Sequence, residues 1–308
     1  MSGCEAWSCV SGSLHKTAVI SWRIIQHKTL IETQNKIFIK MSEGKKEILL
    51  GDCLELMKDI PNGSIDMILC DLPYGTTACK WDTIIPFDKL WEQYERIIKQ
   101  NGAIVLTASQ PFTTILIQSK FELFKYSMVW VKDRPNGIGN ANKMPMRYHE
   151  DICVFYKKLP TYTKQYTQRS EGGLNRVKYK VQSGFKETDT NNHKFGLKEI
   201  SVKYDDAKIL GSVIDVKKDS PSILIHPTQK PVELFEILIK MFTNENDLVL
   251  DNCAGSGTTA IACLNTKRQF ILMEKDPNYF EKIKKRVADF NKNFEPKLSL
   301  ETKSSACA

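Results

Sequence analysis

The chain has 308 residues, of which 42% are hydrophobic and 26% charged, and a formal net charge of +8. This length suits one large α/β domain with an insertion, or two small domains, and the absence of an apolar run of about 18 residues argues against a membrane span. The nine cysteines show no zinc-type spacing. We therefore expect no metal site, and mostly buried, reduced thiols in an intracellular protein.

Residues 1–40 differ from the remainder of the chain, because Glu5 and Glu32 are their only acidic residues. We predict a disordered N-terminal extension upstream of Met41, with a transit peptide as the alternative. Regular patterns begin with a strand at 47–51, which ends beside Asp52, and a short helix at 53–58. A second strand at 64–70 ends in the sequence DLPYG at 71–75. Asp82, shortly afterwards, is a candidate anchor for this loop, as is Trp81.

An amphipathic helix is predicted at 87–100, followed by strands at 103–107, 126–131 and 152–156. The apolar face of this helix consists of Phe87, Leu90, Trp91, Tyr94, Ile97 and Ile98. Asn101-Gly102 is interpreted as its C-terminal stop. The glycine-containing stretch 132–150, which ends in His149-Glu150, is interpreted as a loop that closes over the site.

Residues 157–204 contain eleven basic and four acidic residues, a net charge of +7. Aromatic side chains are interleaved with amides here; they are Tyr162, Tyr166, Tyr179, Phe185 and Tyr204. Basic groups can contact phosphates, while aromatic and amide groups can contact bases. A solvated insertion without a specific partner is the alternative.

Regular patterns return at about residue 223. We predict a helix at 231–242, a strand at 247–250, a helix at 258–264, a strand at 270–274 and a last helix from Pro277. Alternating strands and helices predict a doubly wound, mostly parallel α/β sheet. Ligands of such sheets bind beyond the carboxyl ends of the strands, where Asp52, Asp71, the turn at 252–257 and Glu274 are expected to lie.

The sequence DNCAGSGTT at 251–259 is typical of a glycine turn that brings backbone close to a ligand. It lacks the lysine of a phosphate-binding loop, and Ala260 replaces the last glycine of the dinucleotide fingerprint. Glu274 is placed to accept two ribose hydroxyls. Since nicotinamide enzymes share that logic, the turn alone leaves another nucleotide open.

Together with the sequence HPTQKP at 226–231, the glycine run and the DLPY motif resemble the β-class S-adenosylmethionine-dependent DNA amino-methyltransferases. The resemblance covers residues 46–158 and 223–290, and it includes the circularly permuted motif order. It implies a Rossmann-like class I methyltransferase fold with five segments. These are an extension at 1–40, a catalytic half at 41–158, a target-recognition insert at 159–222, a cofactor half at 223–295 and a disordered tail at 296–308.

The resemblance also implies a role for each matching residue. Asp52 would bind the adenine amino group of the cofactor and Glu274 its ribose. Thr228 and Lys230 would hold the methionine end, and the turn would comprise Asn252, Ala254, Gly255 and Gly257. In the catalytic motif, Asp71 and the carbonyl of Leu72 would accept the hydrogens of the target amine, and Tyr74, after Pro73, would stack on the extruded base. Leu72 stands where proline is commonest in the family, which matters little for a backbone carbonyl.

The implied activity is site-specific N6-adenine methylation of double-stranded DNA. Open alternatives are N4-cytosine methylation, modification of RNA or of a protein glutamine, and a catalytically silent DNA-binding subunit. A homodimer and a cognate restriction endonuclease are partners that the resemblance suggests; a membrane is not. The expected location is the cytoplasm or nucleoid in a prokaryotic or viral setting and the nucleus in a eukaryote.

Overall fold

The computed structural model describes residues 29–33, 36–40, 45–77, 79, 82–137, 139, 141–175, 207–220, 222, 224–226 and 228–294. Several predictions concern residues outside these ranges. They are the disorder of 1–28 and of the tail at 296–308, the central part of the insert at 176–206, and the role of Trp81.

A ten-stranded sheet in the order β1-β2-β3-β12-β11-β4-β5-β7-β6-β10 forms the centre of the fold. A separate two-stranded sheet pairs β8 with β9. The strands are β1 Thr29–Thr33, β2 Lys36–Lys40, β3 Lys46–Leu50, β4 Ile65–Asp71, β5 Ile98–Ala108, β6 Phe124–Asn136, β7 Arg147–Phe155, β8 Tyr166–Gln168, β9 Ala207–Ile209, β10 Val213–Asp215, β11 Leu248–Asp251 and β12 Gln269–Glu274.

The central strands β3, β12, β11, β4 and β5 are parallel, with β7 antiparallel to β5 and to β6. In the pairing of β11 with β4, Val249 lies opposite Met67 and Leu250 opposite Ile68. The carboxyl ends of four neighbouring strands therefore meet along one edge of the sheet. This arrangement confirms the predicted doubly wound, mostly parallel α/β fold.

Helices cover both faces of the sheet. The six helices used below are α1 Cys53–Met57, α2 Phe87–Ile97, α3 Phe112–Ser119, α4 Val232–Phe242, α5 Thr258–Asn265 and α6 Pro277–Phe294. The first three pack on one face and the last three on the other, each set with its own buried apolar cluster. Side chains alternate between the clusters along β4, where Met67 and Leu69 face α4 to α6 while Ile68 and Cys70 face α1 to α3.

The two halves of the chain are interleaved within this sheet. β3 and β4 come from the N-terminal half, yet β12 and β11 of the C-terminal half lie between them. The permuted order of the motifs is therefore compatible with a single continuous sheet in which both motifs reach the same edge.

The helix predicted at 87–100 is shorter in the structure, because its last residues are drawn into the sheet. The apolar face is confirmed, with Leu90, Trp91, Tyr94 and Ile97 buried. The chain becomes strand at Ile98, which pairs with Ile65 of β4. The prediction that Asn101-Gly102 stops the helix is thus wrong. A Cβ on Gly102 would lie 2.8 Å from the carbonyl oxygen of Asp66, so this glycine permits a close approach of two strands.

The expected disorder of residues 1–40 is corrected for 29–33 and 36–40, which form the antiparallel strands β1 and β2. β2 pairs with β3, whose edge would otherwise present unpaired backbone groups. This demand for backbone partners is not visible in the composition of the segment.

Other differences concern the segments between predicted elements. Helix α3 was not predicted. The loop predicted at 132–150 is limited to 137–146, because β6 and β7 extend as a hairpin. Within the predicted insert, β10 joins the edge of the main sheet beside β6.

Candidate active site

A cavity of about 980 Å³ opens beyond the carboxyl ends of β3, β12, β11 and β4. Eleven of the twelve predicted site residues line it: Asp52, Asp71, Leu72, Pro73, Tyr74, Thr228, Lys230, Asn252, Ala254, Gly255 and Glu274. Small-molecule sites span about 300–1,000 Å³. The cavity therefore has room for a nucleoside cofactor and a second group beside it.

Gly257 is the predicted site residue that does not line the cavity. It precedes α5 with a φ of 72°. A Cβ at this position would lie 2.9 Å from Cγ2 of Ile283 on α6. Gly257 thus allows the left-handed backbone conformation of the turn and the close packing of α6 against it.

The turn after β11 is held by several hydrogen bonds. The carboxylate of Asp251 accepts the backbone N–H of Cys253 at 3.1 Å and the hydroxyl of Thr259. Burial raises the pKa of Asp251 to about 6. The amide oxygen of Asn252 accepts the hydroxyl of Tyr94, on α2, at 2.6 Å. The turn is therefore fixed to helices on both faces of the sheet.

Two carboxylates, those of Glu274 and Asp52, flank this turn. Glu274 accepts the N–H of Gly255 at 2.7 Å and that of Asp276 at 2.8 Å, and burial raises its pKa. Asp52 caps α1 by accepting the N–H of Leu54 at 3.0 Å and pairs with Lys275 at 3.0 Å. Each oxygen of an ionised carboxylate has about two lone pairs, so both groups retain capacity for ligand hydroxyl or amine donors.

The segment that precedes α4 packs against the turn. The hydroxyl of Thr258 donates to the carbonyl of Lys230 at 3.1 Å. Thr228 bonds the ring nitrogen Nδ1 of His226 at 3.0 Å, and this ring lies 4.5 Å from that of Tyr279. These contacts place Thr228 and Lys230 on the cavity wall between the glycine turn and the end of β4.

The DLPY motif at 71–74 lies at the carboxyl end of β4. Asp71 Oδ1 accepts the hydroxyls of Tyr74 at 2.7 Å and Thr107 at 2.5 Å. Its Oδ2 accepts Nζ of Lys230 at 2.5 Å. The ring of Tyr74 stacks on Phe112 of α3 with a centroid separation of 5.1 Å. Burial, and then the charge of Asp71, raise the pKa of Tyr74 well above its ordinary value, so its hydroxyl stays protonated.

Asp82 anchors the loop after the motif, as one sequence interpretation held. Its carboxylate accepts the backbone N–H groups of Gly75, Thr76 and Thr77 at 2.8, 2.9 and 2.7 Å. Burial alone would raise the pKa of Asp82, but bonds from the Thr77 hydroxyl and these N–H groups outweigh burial and lower it. The backbone directly after Tyr74 is thereby fixed by an ionised side chain.

A buried charge network links the motif to the β6–β7 hairpin. Lys132, on β6, donates to Oε1 of Glu150 on β7 at 2.9 Å. The other oxygen of Glu150, Oε2, lies 3.3 Å from Nζ of Lys230, which is already bonded to Asp71. Burial raises the pKa of Glu150, but the charges of Lys230 and Lys132 outweigh it and lower that pKa. Two cations and two carboxylates thus share one enclosed site.

Lys132 and Glu150 were not identified as site residues from the sequence. Strand alternation did contain a signal, because Lys132 follows Met128 and Trp130 on one face of β6, and both are buried. A lysine on such a face requires a nearby carboxylate. The sequence alone did not identify which carboxylate meets it.

Basic and apolar groups surround the mouth of the cavity. Arg134, Arg147 and Lys218 contribute to its lining. Beside them on the β6–β7 hairpin, Met144 and Tyr148 are exposed to 55% and 48%. A rim of this composition suits a polyanionic partner that also presents flat apolar groups.

Within the described ranges, no cluster of three or more His, Cys, Asp or Glu side chains is arranged to hold a metal ion. In the same part of the chain, no helix has the length and apolar character needed to cross a bilayer. The six cysteines described are free thiols.

The fold is that of a Rossmann-like class I methyltransferase, with the DLPY motif and the glycine turn at the ends of adjacent strands. The sequence model of the DNA methylase family, which groups N6- and N4-methyltransferases, matches residues 65–285. The chain belongs to this family, and is a DNA methyltransferase of the N6-adenine/N4-cytosine group.

Relatives with established names agree with this assignment. The DNA adenine methyltransferase YhdJ of Escherichia coli K12 is 29% identical over 253 residues, which span 77% of this chain and 80% of that protein. The type II methyltransferase M1.MboII of Moraxella bovis is 25% identical over 249 residues, 74% of this chain and 91% of that protein.

Two solved structures have a similar fold. The complex of M1.HpyAVI with S-adenosylmethionine has 25% identity and a TM-score of 0.51, and covers 78% of this chain and 98% of that chain. The cytosine-N4-specific PvuII DNA methyltransferase has 16% identity and a TM-score of 0.55, with 81% and 92% covered.

Proposed function

We propose that this protein methylates the N6 amine of adenine at a specific site in double-stranded DNA. The observation that carries the proposal is the convergence of the motif at 71–74 and the glycine turn at 252–257 on one cavity. These segments follow the adjacent parallel strands β4 and β11. A relative named as a DNA adenine methyltransferase is similar over three quarters of the chain.

The methyl donor is S-adenosylmethionine, which supplies a methyl group on a sulfonium centre. The residues present fit this cofactor. Gly255 has a φ of 51° and a backbone that the cavity exposes without a side chain. Glu274 and Asp52 offer carboxylate oxygens for the ribose hydroxyls and the adenine amine. Thr228 and Lys230 offer a hydroxyl and an ammonium group for the methionine end.

The chemistry assigned to the catalytic motif follows from the weakness of an exocyclic amine as a nucleophile, since its lone pair is delocalised into the ring. Asp71 and the carbonyl of Leu72 would each accept one amine hydrogen, which favours a more tetrahedral nitrogen and relieves its growing positive charge. Orientation of the amine by these acceptors would carry much of the rate.

Access to the amine requires that the base leave the duplex, at a cost of a few kcal/mol. Stacking on Tyr74 would return about 1–3 kcal/mol of that cost. Tyr74 is well supported for this role, because Phe112 packs against its ring and Asp71 holds its hydroxyl.

Recognition of the DNA sequence is assigned to the predicted insert at 159–222. The basic residues of this segment and of the rim, including Arg147 and Lys218, would contact phosphates. Its aromatic and amide side chains would contact bases. A homodimer and a partner restriction endonuclease stay predictions from the resemblance.

N4-cytosine methylation is the second candidate, because a cytosine-N4-specific enzyme shares the fold. Both bases present an exocyclic amine, and the same acceptors would serve either. In the family that the sequence resembles, aspartate at this position, rather than serine or asparagine, favours adenine over cytosine. Asp71 therefore favours adenine here.

The test is expression of the chain in a host that lacks DNA methylation, followed by single-nucleotide mapping of modified bases. We expect N6-methyladenine in one short motif, and none with the Asp71→Ala variant. N4-methylcytosine would support the second candidate. Unmodified DNA, together with S-adenosylmethionine binding by the purified protein, would refute site-specific adenine methylation by this chain alone.

A further inference from the structure

Three of the roughly four acceptor sites of the Asp71 carboxylate are occupied before any substrate enters. Its Oδ1 accepts two hydroxyls, and its Oδ2 accepts the ammonium of Lys230 at 2.5 Å. A neutral amine competes poorly with an ammonium group for a carboxylate oxygen, because only the ammonium adds the attraction between opposite charges. Oδ2 of Asp71 would therefore hold an amine hydrogen more strongly if Lys230 moved to another acceptor nearby.

Glu150 offers such an acceptor. Its Oε2 lies 3.3 Å from Nζ of Lys230, within ion-pairing distance. Among the residues that the structure describes, Oε2 is also the buried side-chain oxygen that receives no hydrogen bond. Glu150 is 7% exposed. A buried carboxylate oxygen beside a lysine is costly unless a donor reaches it.

Lys132 fixes this acceptor in place. Its Nζ donates to Oε1 of Glu150 at 2.9 Å, and its side chain is 1% exposed. With Oε1 occupied, Oε2 is the oxygen directed towards Lys230. A shift of the Lys230 ammonium towards Oε2 would convert the 3.3 Å contact into a hydrogen bond and release Oδ2 of Asp71.

We propose that Glu150 is a positioning residue for methyl transfer, which accepts Lys230 when the target amine takes Oδ2 of Asp71, and that Lys132 holds Glu150 for this exchange. The proposal rests on the proposed function of the site. An ammonium group has three hydrogens. Lys230 therefore keeps a donor for the methionine carboxylate while it pairs with Glu150.

The network also suggests a control that separates positioning from folding. Its four charges balance, with Lys132 and Lys230 against Asp71 and Glu150. Glu150→Gln leaves two lysines against one carboxylate, which costs stability and tightens the hold of Lys230 on Asp71. Adding Lys132→Met to this variant restores the charge balance but does not restore a carboxylate for Lys230.

The experiment compares three purified full-length proteins: the wild type, Glu150→Gln, and the double variant with Lys132→Met. For each, we would measure the single-turnover rate of DNA methylation at saturating S-adenosylmethionine, the Kd of that cofactor, and the Tm. We expect the rate of Glu150→Gln to fall about 10- to 100-fold, the effect of one charge-assisted hydrogen bond. Cofactor Kd should stay within about 3-fold.

The double variant gives the decisive result. We expect its Tm to recover towards that of the wild type while its rate stays low. Recovery of the rate together with Tm would show that Glu150 only supports the fold, and would overturn the proposal. An unchanged rate in Glu150→Gln would overturn it equally. A wild-type protein that methylates no DNA would instead refute the proposed function.

Discussion

The carboxylate of Asp82 holds three consecutive backbone N–H groups, and its removal should slow methyl transfer while cofactor binding persists. The bonds to Gly75, Thr76 and Thr77 measure 2.8, 2.9 and 2.7 Å. Those three residues are exposed, so water can replace the lost acceptor, and each bond contributes at the low end of about 0.5–1.5 kcal/mol. Loss of the three hydrogen bonds would remove about 2 kcal/mol of stabilisation from the loop. The segment next to Tyr74 would then be free to move.

Misplacement of a substrate-positioning group by about 1 Å costs about 100-fold in rate. We therefore expect Asp82→Ala to lower kcat by about 30- to 100-fold in a steady-state assay with radiolabelled S-adenosylmethionine and duplex DNA. Cofactor Kd should change less than 3-fold, because Asp52, Glu274 and Gly255 are untouched.

Asp247→Ala is the matched control, since Asp247 likewise accepts a backbone N–H, that of Asn244 at 2.7 Å, in a turn before β11. It should lower Tm but leave kcat near the wild-type value. A kcat for Asp82→Ala within 3-fold of the wild type would refute the view that this anchor positions the catalytic loop.

Three further changes test other parts of the site. Asp71→Ala should abolish methylation yet leave the Kd for S-adenosylmethionine within a few-fold, as isothermal titration would show; loss of cofactor binding would contradict the assigned role. Gly257→Ala should lower the free energy of unfolding by about 2–4 kcal/mol, because the strain of a positive φ adds to overpacking. A Cβ at this position would lie 2.9 Å from Ile283. Gly63→Ala, with φ of 58° and open space around its Cβ, should cost only about 1 kcal/mol in the same denaturation assay, and equal losses would contradict the packing argument. Deletion of residues 162–206 should alter the methylated motif in mapped DNA; an unchanged motif in a folded protein would remove the insert from recognition.

The parts of the site that follow strand ends were predictable from the sequence. Asp52, Asp71 and Glu274 each come directly after an apolar run, and parallel strands place such residues on one edge of the sheet. That these residues meet at one cavity could be predicted without knowing any side-chain contact. Asp82 was also named from the sequence as a candidate anchor, although the N–H groups that it accepts were not.

The contacts between distant residues were not predictable in the same way. The ion pair of Lys230 with Asp71 joins residues 159 positions apart, and periodicity within one segment carries no information about such a pair. The end of α2 was mispredicted for a related reason. Backbone pairing of Ile98 with Ile65 outweighed the local preference of Asn101-Gly102 for a helix end.

The interleaving of β12 and β11 between β3 and β4 has a consequence for synthesis of the chain. β4 pairs with β5 early, but its other neighbour, β11, leaves the ribosome much later, since Asp66 bonds Leu248 across 182 positions. At about 5–20 residues per second, that interval is roughly 10–40 s. During this time the apolar strand β4 lacks the neighbour that β11 later provides on one side. A nascent chain therefore cannot assemble this site until its C-terminal strands insert between β3 and β4.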